Sequence, residues 1–194
     1  MSRLLAMKTL LRYLLIPLIG LVLGVSLKHF EPTESTHPTT VIVLRHAEAD
    51  TSDRSNRDPN LSEAGTERAE ALAKLLSEAG VTHLFCSEYN RTHDTLLPLA
   101  VATERELVKV SARTPDEQIK LLRALPPGSV AVVAGHSNTA PGLVEALGVT
   151  PLGIERHAEH GLLLDHDEYN RLFVVTLSPS TEVSTSLIEL RYGN

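Results

Sequence analysis

The sequence predicts an α/β domain with a mostly parallel central sheet. Short apolar runs rich in β-branched residues alternate along the chain with longer segments whose apolar residues recur at helical spacing. Polar residues with chemical functions directly follow three of these apolar runs. This placement agrees with the alternation, because the carboxyl ends of parallel strands form the ligand-binding edge of such sheets.

The predicted elements begin after residue 40. Ser62 is placed to cap the first helix, and Gly80 is placed to end it. Thr114 and Pro115, followed by two acidic residues, indicate the start of a later helix. The predicted strands cover residues 41–44, 82–86, 108–110, 130–134, 172–177 and 187–190, and the predicted helices cover residues 63–79, 91–102, 114–125 and 141–147.

The N-terminal segment has the pattern of a membrane-directed sequence. Residues 13–27 carry no charge and are nearly all apolar, and Arg3, Lys8 and Arg12 precede them. As a helix this run would be about 22 Å long, which is a little short for a full span of the bilayer. We favour an uncleaved signal anchor over a signal peptide cut near residues 24–26, because the small-residue cleavage signal is weak. Both alternatives predict that the rest of the chain lies outside the cytoplasm, periplasmic if bacterial.

Three regions are therefore predicted: a signal anchor or signal peptide (1–27), a polar linker (28–39) and one domain (40–194). The formal net charge is −6, and no run rich in Lys and Arg follows the N-terminal segment, so a nucleic-acid-binding surface is not expected. Cys86 is the single cysteine, which excludes an intramolecular disulfide. Its apolar neighbours predict a small buried residue.

The polar residues after the three apolar runs suit phosphoryl transfer. The runs are followed by RHAE at 45–48, SEYNRT at 87–92 and GHSNT at 135–139, which deliver two histidines and two arginines to one edge of the sheet. An imidazole can attack phosphorus and carry the phosphoryl group covalently. Guanidinium groups bind phosphate oxygens with two parallel hydrogen bonds, and a second imidazole adds a donor. With this much positive potential, we expect neither a metal ion nor a cofactor.

These segments resemble the signatures of the histidine phosphatase superfamily, whose members have the phosphoglycerate mutase-like fold. The resemblance rests on VIVLRHAEAD, CSEYNRTHDT, AVVAGHSNTAP and the helical segment LSEAGTERAEALAKLL, and it covers about residues 40–192. It implies a three-layer α/β/α fold. It also implies that His46 accepts the phosphoryl group and that Arg45, Arg91 and His136 bind phosphate, with Ser137 and Asn138 lining the pocket.

Two positions depart from the family pattern. Ala47 stands where the first signature usually has glycine, a change that a backbone with negative φ would tolerate. Ser137 stands where one branch has an aspartate that supplies the leaving-group proton. Glu48 and Glu88 lie near the signatures and are the candidate general acids, and the choice between them stays open. Four further acidic residues carry no matching local motif: Glu104, Glu106, Asp116 and Glu117.

The resulting expectation is a metal-independent phosphomonoester hydrolase that forms a phosphohistidine on His46. Its substrate would be a phosphorylated small molecule or a phosphoprotein, and it would contact the membrane through the N-terminal segment. Only 37 residues separate Arg91 from Ser129, which leaves little room for the cap that a mutase needs. One alternative is a catalytically weak phosphate- or phosphoprotein-binding module. Another is a metal-dependent hydrolase that uses a cluster of polar residues, namely His157, His160, Asp165, His166 and Asp167.

Overall fold

The computed structural model describes residues 37–178 and 184–193. The predicted signal anchor or signal peptide (1–27) and residues 28–36 of the predicted linker lie outside this part of the chain. Among the helices that are described, none is both long enough and apolar enough to cross a membrane.

The described residues form eight strands and four helices, and every strand and helix predicted from the sequence is among them. In chain order they are β1 (Thr39–Arg45), α1 (Glu63–Leu76), β2 (His83–Cys86), α2 (Asn90–Thr103), β3 (Leu107–Lys109), α3 (Pro115–Arg123), β4 (Val130–Gly135), α4 (Thr139–Ala146), β5 (Glu155–His157), β6 (Gly161–Leu163), β7 (Arg171–Leu177) and β8 (Ser186–Arg191).

The main sheet has six strands in the order β3-β2-β4-β1-β7-β8. β1 pairs in parallel with β4, and β2 pairs in parallel with both β4 and β3. β7 is antiparallel to β1 and to β8. The prediction of a mostly parallel sheet is therefore confirmed.

Helices cover both faces of the sheet, as the three-layer prediction requires. On one face α1 and α2 pack in a cluster of buried residues that includes Leu72, Leu96 and Leu44. On the other face α4 packs in a second cluster that includes Val144 and Phe173. Leu44 in β1 and Phe173 in β7 are both fully buried, so these central strands contribute side chains to the closely packed clusters on the two faces of the sheet.

The first helix is shorter than predicted. The Ser62 side chain accepts a hydrogen bond from the Gly65 backbone N–H, so the predicted N-cap is confirmed. The helix ends at Leu76, however, because the Ala79 N–H bonds to the Leu76 carbonyl in a tighter turn. Gly80 then adopts a φ of 69°, the left-handed conformation that glycine tolerates best.

A short hairpin, β5 with β6, is absent from the sequence-based prediction. The two strands have three residues each, and they pair antiparallel with Glu155 opposite Leu163. All residues of β5 are exposed, so this strand lacks the alternation of apolar and polar residues that marks a half-buried strand.

The sheet order brings the three signatures together. β4 lies between β1 and β2, and in register Leu44 pairs with Ala134, which in turn pairs with Cys86. The residues that follow these three positions therefore emerge side by side at one edge of the sheet. This edge carries the candidate active site.

Candidate active site

His46 follows the last residue of β1 and is 7% exposed. Its backbone N–H donates to the Gly135 carbonyl at 2.9 Å, which continues the pairing of β1 with β4 by one residue. Its ring nitrogen Nδ1 lies 2.7 Å from the Ala47 carbonyl oxygen. Because a carbonyl only accepts, Nδ1 carries the proton and Nε2 has a free lone pair. The orientation is that of a nitrogen nucleophile.

The imidazole of His46 is neutral at physiological pH. Burial lowers the pKa of His46 to about 3, and the positive charges of Arg91 and Arg45 act in the same direction, against the hydrogen bond to Ala47. A neutral ring keeps its Nε2 lone pair available across the physiological pH range.

Arg45 is held from both sides at the end of β1. Its Nη1 donates to the carbonyl oxygens of Asp165 at 2.8 Å and His166 at 3.0 Å. Its guanidinium carbon lies 3.9 Å from the centre of the Tyr169 ring, in cation–π contact. Its Nε is buried and makes no hydrogen bond to the described residues. That donor fits an anionic oxygen at the edge of the sheet.

Arg91 lies in the first turn of α2 and faces the second histidine. Its Nη2 is 3.4 Å from Nδ1 of His136, and its Nη1 is 3.7 Å from a carboxylate oxygen of Asp58. Its guanidinium carbon lies 4.4 Å from the Tyr89 ring centre. Each of the two arginines predicted to bind phosphate is thus backed by a tyrosine ring, which restricts its orientation.

His136 follows β4 and lies against His46. The two ring centres are 5.4 Å apart in an edge-to-face arrangement. Nε2 of His136 is 3.0 Å from Oγ of Ser87, which in turn is 2.8 Å from Oγ1 of Thr92. Burial and the charge of Arg91 together lower the pKa of His136 to about 4. Both imidazoles are therefore neutral near pH 7.

The backbone around His46 is tied to α2 through one hydroxyl group. The Ala47 N–H donates to Oγ1 of Thr95 at 2.8 Å, and that hydroxyl donates to the Arg91 carbonyl at 2.6 Å. Of the non-glycine residues described, only Glu104 has a positive φ, so Ala47 has the negative φ that a side chain tolerates. The departure from glycine at this position is accommodated without backbone strain.

The two candidate general acids are engaged elsewhere. Glu48 receives hydrogen bonds of 2.7 to 3.0 Å from Arg68 through both of its carboxylate oxygens. Although burial acts to raise the pKa of Glu48, the Arg68 hydrogen bonds prevail and lower it. Glu88 is exposed and accepts the Ala112 N–H at 2.8 Å, which lowers the pKa of Glu88. Neither environment retains a proton at neutral pH.

Ser137 and Asn138 follow His136 at the start of α4. The Ser137 carbonyl accepts a hydrogen bond from the Leu164 N–H at 2.9 Å, which joins this loop to the end of β6. Asn138 is the N-terminal cap residue of α4, is exposed and makes no side-chain capping bond. Both residues lie beside His136 in the chain.

The polar cluster considered for metal binding is spread over separate elements. His157 ends β5, His160 lies in the turn before β6, and residues 165–167 form a loop beyond β6. Asp165 and His166 meet Arg45 through their backbone carbonyls. Within residues 37–178 and 184–193, no three His, Cys, Asp or Glu side chains converge to hold a metal ion.

A cavity of about 430 Å³ adjoins this edge on the side of α3 and α4. Ser87 and Asn138 line it together with apolar residues such as Val110, Ile119 and Leu143. Neither this cavity nor the supporting contacts made by five further residues were predicted from the sequence, namely those of Ser87, Tyr89, Thr92, Thr95 and Tyr169. Ser87 and Thr95 lie within the second signature, and this position is the signal that could have indicated them.

Comparison with known proteins gives a consistent family and fold. Residues 41–113 match the sequence profile of the histidine phosphatase superfamily (branch 1). A search of curated protein sequences gave no significant match.

Three solved structures have the same fold at low sequence identity. "Mycobacterial hydrolase 1" is 15% identical with a TM-score of 0.59, covering 78% of this chain and 97% of its own. The protein histidine phosphatase SixA in complex with tungstate is 16% identical with a TM-score of 0.57, covering 78% of this chain and 96% of its own. A mycobacterial glucosyl-3-phosphoglycerate phosphatase is 16% identical with a TM-score of 0.55, covering 72% and 91%.

At these identities the structural likeness concerns the fold alone, which is the phosphoglycerate mutase-like fold. The sequence match to the histidine phosphatase superfamily covers residues 41–113, which include the first and second signatures. Over residues 41–113 the chain is similar to the histidine phosphatase superfamily, and its fold is the phosphoglycerate mutase-like fold.

Proposed function

We propose that this protein is a metal-independent phosphomonoester hydrolase that acts through a phosphohistidine on His46. The observation that carries this proposal is the unprotonated Nε2 of His46. The ring proton of His46 lies on Nδ1, because Nδ1 donates a hydrogen bond to the Ala47 carbonyl. A buried neutral imidazole oriented in this way is prepared for attack on phosphorus.

The reaction would proceed in two steps. In the first, Nε2 of His46 attacks phosphorus, the bond to the leaving oxygen breaks, and that oxygen takes up a proton. In the second, water attacks phosphorus, the phosphorus–nitrogen bond breaks, and its electron pair returns to Nε2. Arg45 and Arg91 would stabilise the charge on the phosphoryl oxygens in both steps. Nε of Arg45, which makes no hydrogen bond to any described residue, supports this role.

The similarity to known phosphatases and the chemistry of the site support a phosphorylated substrate. The similar structures include a protein histidine phosphatase and a phosphatase for a small phosphorylated sugar acid. A phosphorylated small molecule or a phosphoprotein is therefore the proposed substrate. The segment between Arg91 and Ser129 contains α2, β3 and α3 and adds no separate cap, which favours hydrolysis over phosphoryl return.

The proposed location is outside the cytoplasm, with the N-terminal segment at the membrane. Support for it comes from the positive and then apolar pattern of residues 1–27 alone. A reporter that is active only outside the cytoplasm, fused after residue 194, is expected to be active. An inactive but intact reporter would argue against this location.

Hydrolysis of p-nitrophenyl phosphate in excess EDTA tests the mechanism. We expect the full chain to turn over this substrate and His46→Ala to lower kcat/KM at least roughly 1,000-fold, because the nucleophile is lost. His160→Ala is the matched control, since His160 is an exposed histidine in the β5–β6 turn.

The other outcomes distinguish the alternatives. A folded wild-type chain that binds inorganic phosphate without turnover would indicate the binding module. Activity that requires added metal and is lost in His160→Ala would indicate a metal-dependent hydrolase and would contradict the phosphohistidine mechanism.

A further inference from the structure

The hydroxyl groups beside His136 form a chain in which each proton has a defined position. Oγ1 of Thr92 lies 2.8 Å from the Tyr89 carbonyl oxygen, which can only accept. The single hydroxyl proton of Thr92 is therefore used there. In the 2.8 Å contact between Thr92 and Ser87, Oγ of Ser87 must then be the donor.

This assignment determines the tautomer of His136. Because the hydroxyl proton of Ser87 is given to Thr92, Oγ of Ser87 accepts in its 3.0 Å contact with Nε2 of His136. Nε2 therefore carries the imidazole proton. Nδ1 is therefore unprotonated. It faces Nη2 of Arg91 at 3.4 Å, and this contact agrees with the assigned tautomer because a guanidinium can only donate. Ser87 and Thr92 are 5% and 0% exposed, so water does not compete freely for these contacts.

His46 and His136 thus carry their protons on opposite ring nitrogens. His46 presents Nε2 as the nucleophile, and His136 presents a bare Nδ1 beside the guanidinium of Arg91. The contact between Arg91 and Nδ1 is long for a hydrogen bond and is given up at little cost when a phosphate arrives. The same edge supplies no neutral carboxyl group from Glu48 or Glu88.

We propose that Ser87 is a positioning residue that holds His136 with its proton on Nε2, so that Nδ1 of His136 transfers the proton in each half-reaction. This inference rests on the proposed function. It assigns to the second histidine a proton-transfer role that the sequence predicted for a glutamate.

Every proton is accounted for when the substrate is the monoanion of a phosphate monoester. Its P–OH proton passes to Nδ1 of His136 and then to the leaving oxygen, while Nε2 of His46 bonds to phosphorus and the ester bond breaks. In the second step one proton of the attacking water passes to Nδ1 and then to a phosphate oxygen. The phosphorus–nitrogen bond breaks, and dihydrogen phosphate and neutral His46 result.

Ser87 and Ser111 allow a matched test. Both line the 430 Å³ cavity, and of the two Ser87 is the one that contacts His136. Ser87→Ala removes the acceptor for Nε2–H. Ser87→Thr keeps the hydroxyl group at a position that lines the cavity. Ser111→Ala is the control, since Oγ of Ser111 contacts Glu88 at 3.4 Å.

The first readout is the leaving-group dependence of kcat/KM in the full chain. An alkyl phosphate such as glycerol phosphate needs a proton on its leaving oxygen far more than p-nitrophenyl phosphate does. We expect Ser87→Ala to lower kcat/KM roughly 10-fold more for the alkyl ester than for the aryl ester. Ser87→Thr should restore the wild-type ratio, and Ser111→Ala should not change it.

The second readout is independent of activity. Nitrogen-15 NMR of the histidine rings distinguishes protonated from bare nitrogens, and we expect Nε2–H for His136 in the wild type and in Ser87→Thr. Nδ1–H in the folded wild type would overturn the proposal, as would equal losses on both esters in Ser87→Ala. If the wild type shows Nε2–H but hydrolyses neither ester, the proposed function fails while the positioning by Ser87 stands.

Discussion

At the scale of single residues, the site depends on where a few protons and charges are held. The Ala47 carbonyl and the Ser87 hydroxyl hold the protons of His46 and His136 on opposite ring nitrogens. Tyrosine rings back the two guanidinium groups. These contacts fix the groups before a substrate binds, and such preorganisation lowers the cost of reaching the transition state.

The two glutamates are expected to act structurally. Glu48→Gln should lower the free energy of unfolding by about 1 to 3 kcal/mol, because the partly buried Arg68 loses its charged partner. Glu88→Gln should leave stability nearly unchanged, since Glu88 is exposed. Neither variant should alter the ratio of kcat/KM for alkyl and aryl phosphates, measured alongside urea unfolding. A selective loss on the alkyl ester in either variant would identify that glutamate as the general acid.

At the scale of elements, α1 and α2 support the loop that carries His46. α1 approaches this loop so closely that a Cβ at Gly65 would lie 2.0 Å from the Glu48 carbonyl oxygen. The same oxygen accepts the Ser62 N–H at 2.9 Å. α2 contributes the Thr95 hydroxyl that receives the Ala47 N–H. His46 is thus positioned by helix packing as well as by its strand.

Gly65→Ala is expected to push α1 away from this loop. The clash is with backbone, which cannot rotate aside, so the free energy of unfolding should fall by about 2 kcal/mol or more. kcat should fall as well, since the loop carries His46. Urea unfolding and p-nitrophenyl phosphate assays of the full chain measure both effects.

Gly142→Ala in α4 is the matched control. A Cβ there meets nothing within 4 Å, so the substitution should stabilise the helix by about 0.5 to 1 kcal/mol. Equal effects of the two substitutions would show that the close approach of α1 does not determine stability.

At the scale of the whole molecule, the strand order assembles the site and buries it. Neighbouring β1, β4 and β2 bring together residues that are up to 91 positions apart, from Arg45 to His136. His46 and His136 are both at least nine-tenths buried as a result. The folded chain therefore keeps both histidines neutral, and its free energy of unfolding depends on pH.

Acid is expected to destabilise the protein through these histidines. An unfolded histidine takes up a proton near pH 6.5, whereas the pKa values of His46 and His136 in the folded chain are about 3 and about 4. Between these limits the unfolded state binds more protons, so the free energy of unfolding falls as the pH is lowered. His46→Asn should reduce the loss between pH 6.5 and 4.5 by about 2 kcal/mol.

Urea unfolding of the full chain at several pH values measures this dependence. His160→Asn is the control, because an exposed histidine should leave the wild-type slope unchanged. Parallel curves for the wild type and His46→Asn would mean that His46 is protonated at the same pH in the folded and unfolded chains.

The sequence alone predicted the α/β class, the strands that form the sheet and the edge where the signatures meet. These features depend on local apolar patterns and on the rule that parallel strands bind ligands at their carboxyl ends, and both are readable along the chain. The same patterns placed four candidate residues at this edge, each directly after or just beyond an apolar run, namely Arg45, His46, Arg91 and His136. Their roles in catalysis stay predictions.

The tertiary structure alone decided which ring nitrogens are bare, what Glu48 binds and what holds Arg45. The partners are distant in the chain: Arg68 lies 20 residues from Glu48, and the Asp165 carbonyl lies 120 residues from Arg45. A hydrogen bond depends on distances of about 3 Å, which only the packed fold sets. Residue types and their spacing therefore indicate which groups meet, while the packing determines the protonation and orientation in which they meet.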